Sequence, residues 1–582
     1  LDNNSRVVFF LVSCILVLGI SQFFIPAPPP SGLNPAKPVS QSAATVTGPS
    51  TAAENSSDSA VLTSTLKQAK HSHIPAASVT IETNEYIAVL SNEGALLTSF
   101  QLKKYPNRET HQPIELVNPD PARLKPFALD YSPLPDLNQA MFEVEGTSQT
   151  LSAPDEKTQL VFRYVDGTGA VLEKKFGFKN GSYLIDFDAV VSQTGKASLP
   201  ASNLIVQWPD ILGRDENTGT SSRRGGFSGN PNSYRVSTLS AGGVDSERAK
   251  KSQEISEIPA PISWTALANQ FFAAVLIPDP SSGAASAKIV RDTNAYKLPT
   301  DEDPNPGINP NLFNPRPELV FQGQALNRGE SFHRKMQVFF GPQEYKLLNS
   351  LNLVGVMDLS RYFGFISVYM LQLLQWFDTW CHNWGVAVIL LSITVKLLLW
   401  LPTHNSYKNM YLTQRKMREV QPKLDALKRK YPDDKQKQQQ EQMRLFNEAG
   451  INPLGGCLPM LFQMPVFWAL YAALNHSIEL RGASFLWLSD LTLKDSTYVL
   501  PLLMGGSMIL QQKVSGQMAT QAAGQQKMMM WMMPVMLTFI STKWPAGLLL
   551  YWVVTNILSM LQQKVVNREV QKAKKKDEVV KS

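Results

Sequence analysis

The chain is poor in cysteine and histidine, and long parts of it lack charge; each shortage removes a class of function. Of 582 residues only 3 are cysteine, Cys14, Cys381 and Cys457, each in or beside an apolar segment. None falls between residues 26 and 350, so that region has no disulfide framework. Histidine is equally sparse: within the strand-rich region only His111 and His333 are at hand, and neither sits in a motif, so no acid–base or metal constellation is visible. A Gly-rich loop, Gly225-Gly226-Phe227-Ser228-Gly229-Asn230, lacks the flanking strand and helix of a phosphate cradle and reads as a surface loop. With 43% hydrophobic residues, several uncharged runs and too great a length for one domain, the chain reads as part membrane and part soluble. Its formal charge is +7, and the placement of that charge carries more information than its size.

The organising stretch runs from Trp384 to Asn409. Gly385 to Leu401 is apolar enough to cross a bilayer, yet Lys396 sits inside it, one turn from Ser392 on the same face. An ammonium at the centre of a lipid-exposed helix costs on the order of 3 kcal/mol on insertion scales. Two readings meet that cost. The lysine stem snorkels and lifts the charge to the headgroups, or the charge lies in a wet cavity walled by other helices.

In chain order, Val7 to Ile25 follows Arg6 as an uncharged run and reads as a retained signal anchor, because Phe23-Phe24-Ile25-Pro26 is a poor cleavage site. Residues 26–77 are Pro-, Ser-, Ala- and Thr-rich and form a tether. Residues 78–342 turn to period-two patterning. Strands are predicted at Ser78–Thr83, Tyr86–Ser91, Ala95–Leu102, Leu160–Val165, Ala170–Phe178 and Tyr183–Val191, with Asp166-Gly167 and Asn180-Gly181 as hairpin turns. More follow near Asn203–Trp208, Ile262–Ile277, Glu318–Phe321 and Ser331–Phe340, giving a large, mostly antiparallel β-sandwich. Residues 343–382 hold a short helix and then an amphipathic one, Leu359–Trp380, whose aromatics and central Gln372 and Gln375 fit the membrane interface.

Beyond the Lys396 helix, placed at 383–402, residues 403–450 carry eleven basic and six acidic residues. Met410, Met417, Val420, Leu424, Leu427 and Tyr431 fall at heptad-like spacing, Tyr431-Pro432 breaks the helix, and Asp433 with Gln436 resembles a capping box. An antiparallel, partner-facing hairpin is predicted, with Arg415, Lys416, Arg418, Lys428, Arg429 and Lys430 as its recruiting charges. Residues 451–563 supply four more spans, Gly455–Leu474, Ser496–Gln512, Met528–Thr542 and Trp544–Leu561, and the tail 564–582 is basic. Hairpin and tail belong on the cytoplasmic side by the positive-inside rule, which gives six spans with both ends in and the β-domain outside. Two spans, at 17 and 15 residues, fall short of the ~20 needed for an ordinary hydrocarbon core and would thin the bilayer.

Polar residues recur in these spans: Gln463, Gln511 and Gln512, and then Trp552, Thr555 and Asn556 on one face. Each alone reads as helix–helix hydrogen bonding. Together with Ser392 and Lys396 they are expected to converge on one hydrated groove. The methionine run 528–533 reads as gap filling or as a surface that repacks around apolar helices.

The segments Asn452-Pro453-Leu454-Gly455-Gly456-Cys457-Leu458-Pro459 and Gln463-Met464-Pro465-Val466-Phe467 are the most specific pieces of the chain. With Trp384-Gly385, Gln421-Pro422-Lys423, Glu479-Leu480-Arg481 and Gly547-Leu548-Leu549-Leu550-Tyr551-Trp552, they make the chain resemble the YidC-type membrane protein insertases of Gram-negative bacteria over nearly its whole length. The resemblance implies a polytopic α-helical membrane protein of the cell inner membrane, with six spans, a five-helix insertase core, and a large periplasmic β-supersandwich. It implies a groove open to cytoplasm and lipid, bearing a positive residue where Lys396 stands; the family commonly has arginine there, and lysine keeps the charge without the bidentate fork. Ser392 and Trp552 match substrate-contacting positions, and Gln463, Asn556 and Gln511 are expected beside them. No cofactor is expected. The implied partners are nascent inner-membrane proteins, the Sec translocon, the ribosome and its targeting machinery at the basic hairpin and tail, and the phospholipid bilayer. Two alternatives stand beside the insertase: a secondary transporter with Lys396 at an anion site, and a sugar-binding β-domain, since this sandwich type resembles mutarotases. One deletion separates the last from the insertase. Removing residues 78–340 leaves a depletion strain able to insert its membrane proteins if the helices do the work; loss of insertion assigns the essential activity to the β-domain.

Overall fold

The computed structural model describes residues 74–581 except 108–110, 122, 211, 213–234, 242, 249–253, 284, 292–314, 358, 360–363, 433, 452–457 and 516–523. The predicted anchor, nearly all of the tether, the Gly-rich loop and most of the Asn452–Pro459 motif therefore lie outside the described residues. The described part of the soluble region is built from three sheets of five, nine and five strands. At the centre of the largest, Leu184–Gln193 lies between Ala170–Lys179 and Ser331–Pro342, antiparallel to both. The Asn180-Gly181 turn joins the first pair, with Gly181 at φ +78°, a conformation that glycine adopts without steric cost.

Alternation along these strands buries one face of aromatics. Phe127 packs at 5.1 Å on both Phe176 and Phe187, and its ring edge meets Trp208 at 5.2 Å. The predicted strand Ile262–Ile277 is in fact two, Ile262–Ala268 and Phe272–Pro278. The Asn269 side chain accepts hydrogen bonds from the amides of Phe271 and Phe272, an Asx turn hidden inside an apolar run. Strands at Arg235–Ser240, Gly243–Arg248, Glu254–Ile258 and Ala285–Arg291 are additional to those expected. Most of these carry polar residues on the outward face that blur the two-residue period.

The helical part begins with α1 (Tyr345–Ser350), α2 (Gly364–Cys381) and α3 (Trp384–Leu398). The glutamines of α2 bond to protein side chains: exposed Gln372 donates to the Tyr345 hydroxyl at 3.1 Å and buried Gln375 to Glu479 at 2.8 Å. Tyr369, Trp376 and Trp380 are exposed on the same helix. Helix α3 is capped by Asn383, whose side chain accepts from Val386 N, and it stops at Leu398. The next helix, α4 (Trp400–Lys430), turns by 67° and runs on through Pro402. Proline fits there because a first-turn N–H has no intrahelical partner to lose.

Helix α5 (Lys435–Glu448) completes a hairpin. Its cap is Asp434, accepting from Lys437 N at 2.9 Å, one residue later than the predicted Asp433. Val420 and Leu424 pack against Phe446 and Ile451. Met410, expected on that seam, instead packs with Tyr407 on Val566.

Then come α6 (Leu458–His476), α7 (Val499–Val514), α8 (Gly524–Ser541) and α9 (Ala546–Lys581). Helix α9 passes without interruption through the predicted end of the last span at Leu561 and carries the basic tail. Helices α7 and α8 cross closely, since a Cβ on Gly505 would lie 2.0 Å from Thr538 Oγ1. Among the described residues no single helix is both long and apolar enough to cross a membrane; the bent pair Trp384–Leu398 with Trp400–Leu427 satisfies both conditions together.

The two parts share one hydrophobic core. Gln270, in the Asx turn, donates to the Asn475 carbonyl at 2.8 Å, and Arg481 donates to the Pro106 carbonyl at 3.0 Å while lying over the Phe272 ring.

One buried charge inside the β-domain generates a test. Lys174 is fully buried and donates to the carbonyls of Gly94 at 2.7 Å and Phe127 at 2.9 Å, with Ala95 O at 3.4 Å. Lys174→Met orphans these carbonyls and is expected to lower domain stability by on the order of 3 kcal/mol in thermal unfolding. Burial pushes the Lys174 amine down to about 7 from 10.5. Between those pH values the unfolded chain binds more protons than the folded one, so stability rises with pH across that window. Lys174→Met is expected to flatten the rise; an unchanged pH profile would contradict this assignment.

Candidate functional site: a polar stripe on the last helix

Helix α9 organises the polar residues of the bundle. Tyr551, Thr555, Ser559 and Gln562 recur at spacings of four, four and three, which places them within about 80° of one another around the helix. Thr555 spends its hydroxyl on its own helix, donating to Tyr551 O at 2.8 Å. The other three each meet a different neighbouring helix.

At the level of α6, Gln463 donates to the Tyr551 hydroxyl at 2.5 Å. One turn past Thr555, Lys396 of α3 donates to Ser559 Oγ at 2.8 Å. Deeper still, Gln562 and Thr403 of α4 exchange hydrogen bonds, and the Gln562 amide also reaches Trp400 O at 3.1 Å. That last bond adds a second side-chain contact to a carbonyl beside the bend, which also accepts from Thr403 Oγ1 at 3.2 Å. On the adjacent face, Asn556 donates to Ser507 of α7 at 2.9 Å.

Lys396 lies in the last turn of α3 and is 5% exposed. The bend at Leu399 returns α4 across it, so that the Tyr407 ring stands 5.4 Å from Nζ, within cation–π range. The Tyr407 phenol is also hydrogen-bonded to Ser559. Among the described residues no carboxylate pairs with Lys396, and Ser559 is its one hydrogen-bond acceptor. An ammonium has three N–H donors. A single neutral acceptor and one aromatic face leave its charge without an opposite partner.

The six predicted residues are thus distributed rather than gathered. Lys396 joins the stripe directly, and Gln463 joins through Tyr551. Ser392 is fully buried one turn before Lys396 and donates to Val388 O at 2.7 Å. Asn556 turns to α7. Trp552 stacks on Trp544 at 5.5 Å and meets the edge of Phe467 at 5.0 Å, so Trp552, Thr555 and Asn556 have separate partners. Gln511 makes no side-chain hydrogen bond among the described residues and is half-buried. Lys396 itself is buried against Tyr407 and Ser559. Tyr407, Tyr551, Ser559, Gln562 and Thr403 are additional to the expected set; the four-four-three spacing on α9 is the signal that finds three of them.

In the hairpin, Arg415, Lys416, Arg418, Arg429 and Lys430 are exposed. Arg415 pairs with Glu419 at 3.5 Å and Lys416 donates to Gly450 O at 3.3 Å. Lys430 lies over the Tyr431 ring at 5.5 Å.

Residues 376–575 match the family described as the 60Kd inner membrane protein, and residues 78–373 match the YidC periplasmic domain. The membrane protein insertase YidC of Geobacter metallireducens is 31% identical over 97% of this chain and 98% of its own. That of Syntrophus aciditrophicus is likewise 31% identical, over 97% of this chain and 100% of its own. A solved active YidC insertase with its first transmembrane domain resolved is 16% identical, covers 83% of this chain and 91% of its own, and has a TM-score of 0.34. On the two family matches and the full-length sequence relatives, the chain belongs to the YidC family of membrane protein insertases.

Proposed function

We propose that this chain inserts proteins into the bacterial inner membrane by offering Lys396 to the acidic, translocated segment of a client while the client's apolar helix moves into lipid. The observation that carries this reading is the unpaired ammonium. Buried charges are ordinarily matched by an opposite charge, and here the described partners are neutral. A client carboxylate supplies the missing counter-charge. Transfer of an apolar helix of ~20 residues into lipid is itself downhill, so no nucleotide, metal or other cofactor is required. Family membership sets aside the transporter alternative and an enzymatic β-domain, since the family's members are insertases and not enzymes.

The finer assignments belong to the same proposal. Six spans place the hairpin and tail in the cytoplasm and the β-domain in the periplasm. The basic faces of the hairpin and of α9 receive the ribosome and its targeting machinery, and the Sec translocon is a partner. The stripe on α9, with Gln463 and Asn556 at its flanks, forms the polar wall of the client path; Trp552 and Gln511, half-buried, border its open side. Charge distribution and helix order support this arrangement.

Photo-crosslinkers at Ser392, Gln463 and Trp552 should label a stalled client helix at all three positions; labelling by lipid alone would contradict the path. Lys396→Ala is expected to reduce insertion of clients with acidic translocated segments by tenfold or more, since a desolvated charge pair contributes on the order of 1.5 kcal/mol or more. Lys396→Arg should retain most activity. Equal insertion by Lys396→Ala and wild type would remove the charge from the mechanism.

A further inference from the structure

The ring over Lys396 belongs to the same helix as the recruiting hairpin. Tyr407 lies two turns into α4 and is 5% exposed. One side of it meets the Lys396 ammonium; with Met410 it also packs on Val566 of α9, which is fully buried, with Val570 alongside. The contact continues along both helices. His404 pairs with Glu569 at 3.2 Å, and Gln571 donates to the Tyr411 hydroxyl at 3.2 Å. The position of the ring is therefore set by the α4–α9 seam, outside the span that carries the lysine.

From this geometry we infer that Tyr407 is a positioning residue that sets how strongly acidic a client segment must be to engage Lys396. The ring and Ser559 hold the ammonium in its resting place, and a client carboxylate must draw it away from both. A neutral segment offers nothing in exchange. Tyr407 thereby competes with the client for one cation, and movement of α4 on α9 would alter the outcome of that competition. The inference rests on the reading of Lys396 as the client contact and adds a second, local determinant of client choice.

The test has one arm without a client and one with it. In membrane vesicles, acylation of Lys396 by a permeant amine-reactive ester, followed by peptide mass spectrometry, reports the freedom of the ammonium. Tyr407→Leu is expected to accelerate that acylation several-fold, and Tyr407→Phe, which keeps the ring, to leave it within about twofold of wild type. In the second arm, crosslinking from Ser392 compares stalled clients with acidic and neutral translocated segments. Tyr407→Leu should raise the acidic-to-neutral labelling ratio by about tenfold, the scale of a desolvated cation–π contact. Tyr407→Phe should preserve the ratio, and Tyr407→Leu should have no effect on it in a Lys396→Ala background. Unchanged acylation in Tyr407→Leu overturns the inference, as does a ratio that is unchanged or lowered, or a shift that persists without Lys396. Accelerated acylation with no client labelling at Ser392 in the wild type would keep the positioning role and refute the client path.

Discussion

A cation with no counter-ion among the described residues, buried inside the helical bundle, is the constraint on which the rest depends. Leaving an uncompensated charge in a protein interior costs several kcal/mol. The Ser559 hydroxyl and the Tyr407 ring offset part of that cost, the ring by about 2 kcal/mol when desolvated. Both contacts require the chain path seen here. The 67° bend at Leu399 is what brings α4 back over the end of α3, and Gln562 braces the start of α4 through Thr403 and Trp400 O. In the proposed mechanism, the remaining electrostatic cost makes the site receptive to a client carboxylate.

The β-domain contributes a rigid mount. Its central sheet runs through Ser331–Pro342 toward α1, and the Asx turn at Asn269 and the loop residue Arg481 fasten it to the outer ends of the helices. Gln375 binds Glu479 of the same loop, so α2, the β-domain and the α6–α7 connection hold one another. The other end of the bundle is held by the α4–α9 seam, with Asn567 of α9 also donating to Val514 O of α7 at 3.4 Å. In the proposed topology this is the cytoplasmic end, the side from which a client enters.

Much of this architecture was legible in the sequence where one physical signal dominated. Strict alternation bounded by Asp166-Gly167 and Asn180-Gly181 marked the central strands, and a lone lysine in an apolar run marked the site. Where signals competed, the reading missed. The Ile262–Ile277 run concealed a turn, because Asn269 makes an Asx turn with flanking aromatics that look like strand. Met410 fitted the hairpin's heptad, yet its neighbour is Val566, which sequence spacing alone does not bring close. The stripe on α9 was half seen: Thr555 and Asn556 drew notice through their amide and hydroxyl groups, while Ser559 and Gln562 lay where the span was expected to end. Their importance comes from Lys396 and Thr403 on other helices, a relation that exists only once the bundle is folded.

The central claim is that the ammonium's missing partner is supplied by the client, and placing that partner inside the protein tests it most directly. Ser559→Asp puts a carboxylate at the position that now accepts from Lys396 at 2.8 Å. The account predicts a protein that accumulates normally and resists heat at least as well as wild type, but that no longer labels acidic clients from Ser392 in preference to neutral ones. Full retention of that preference, with the internal ion pair formed, would contradict it.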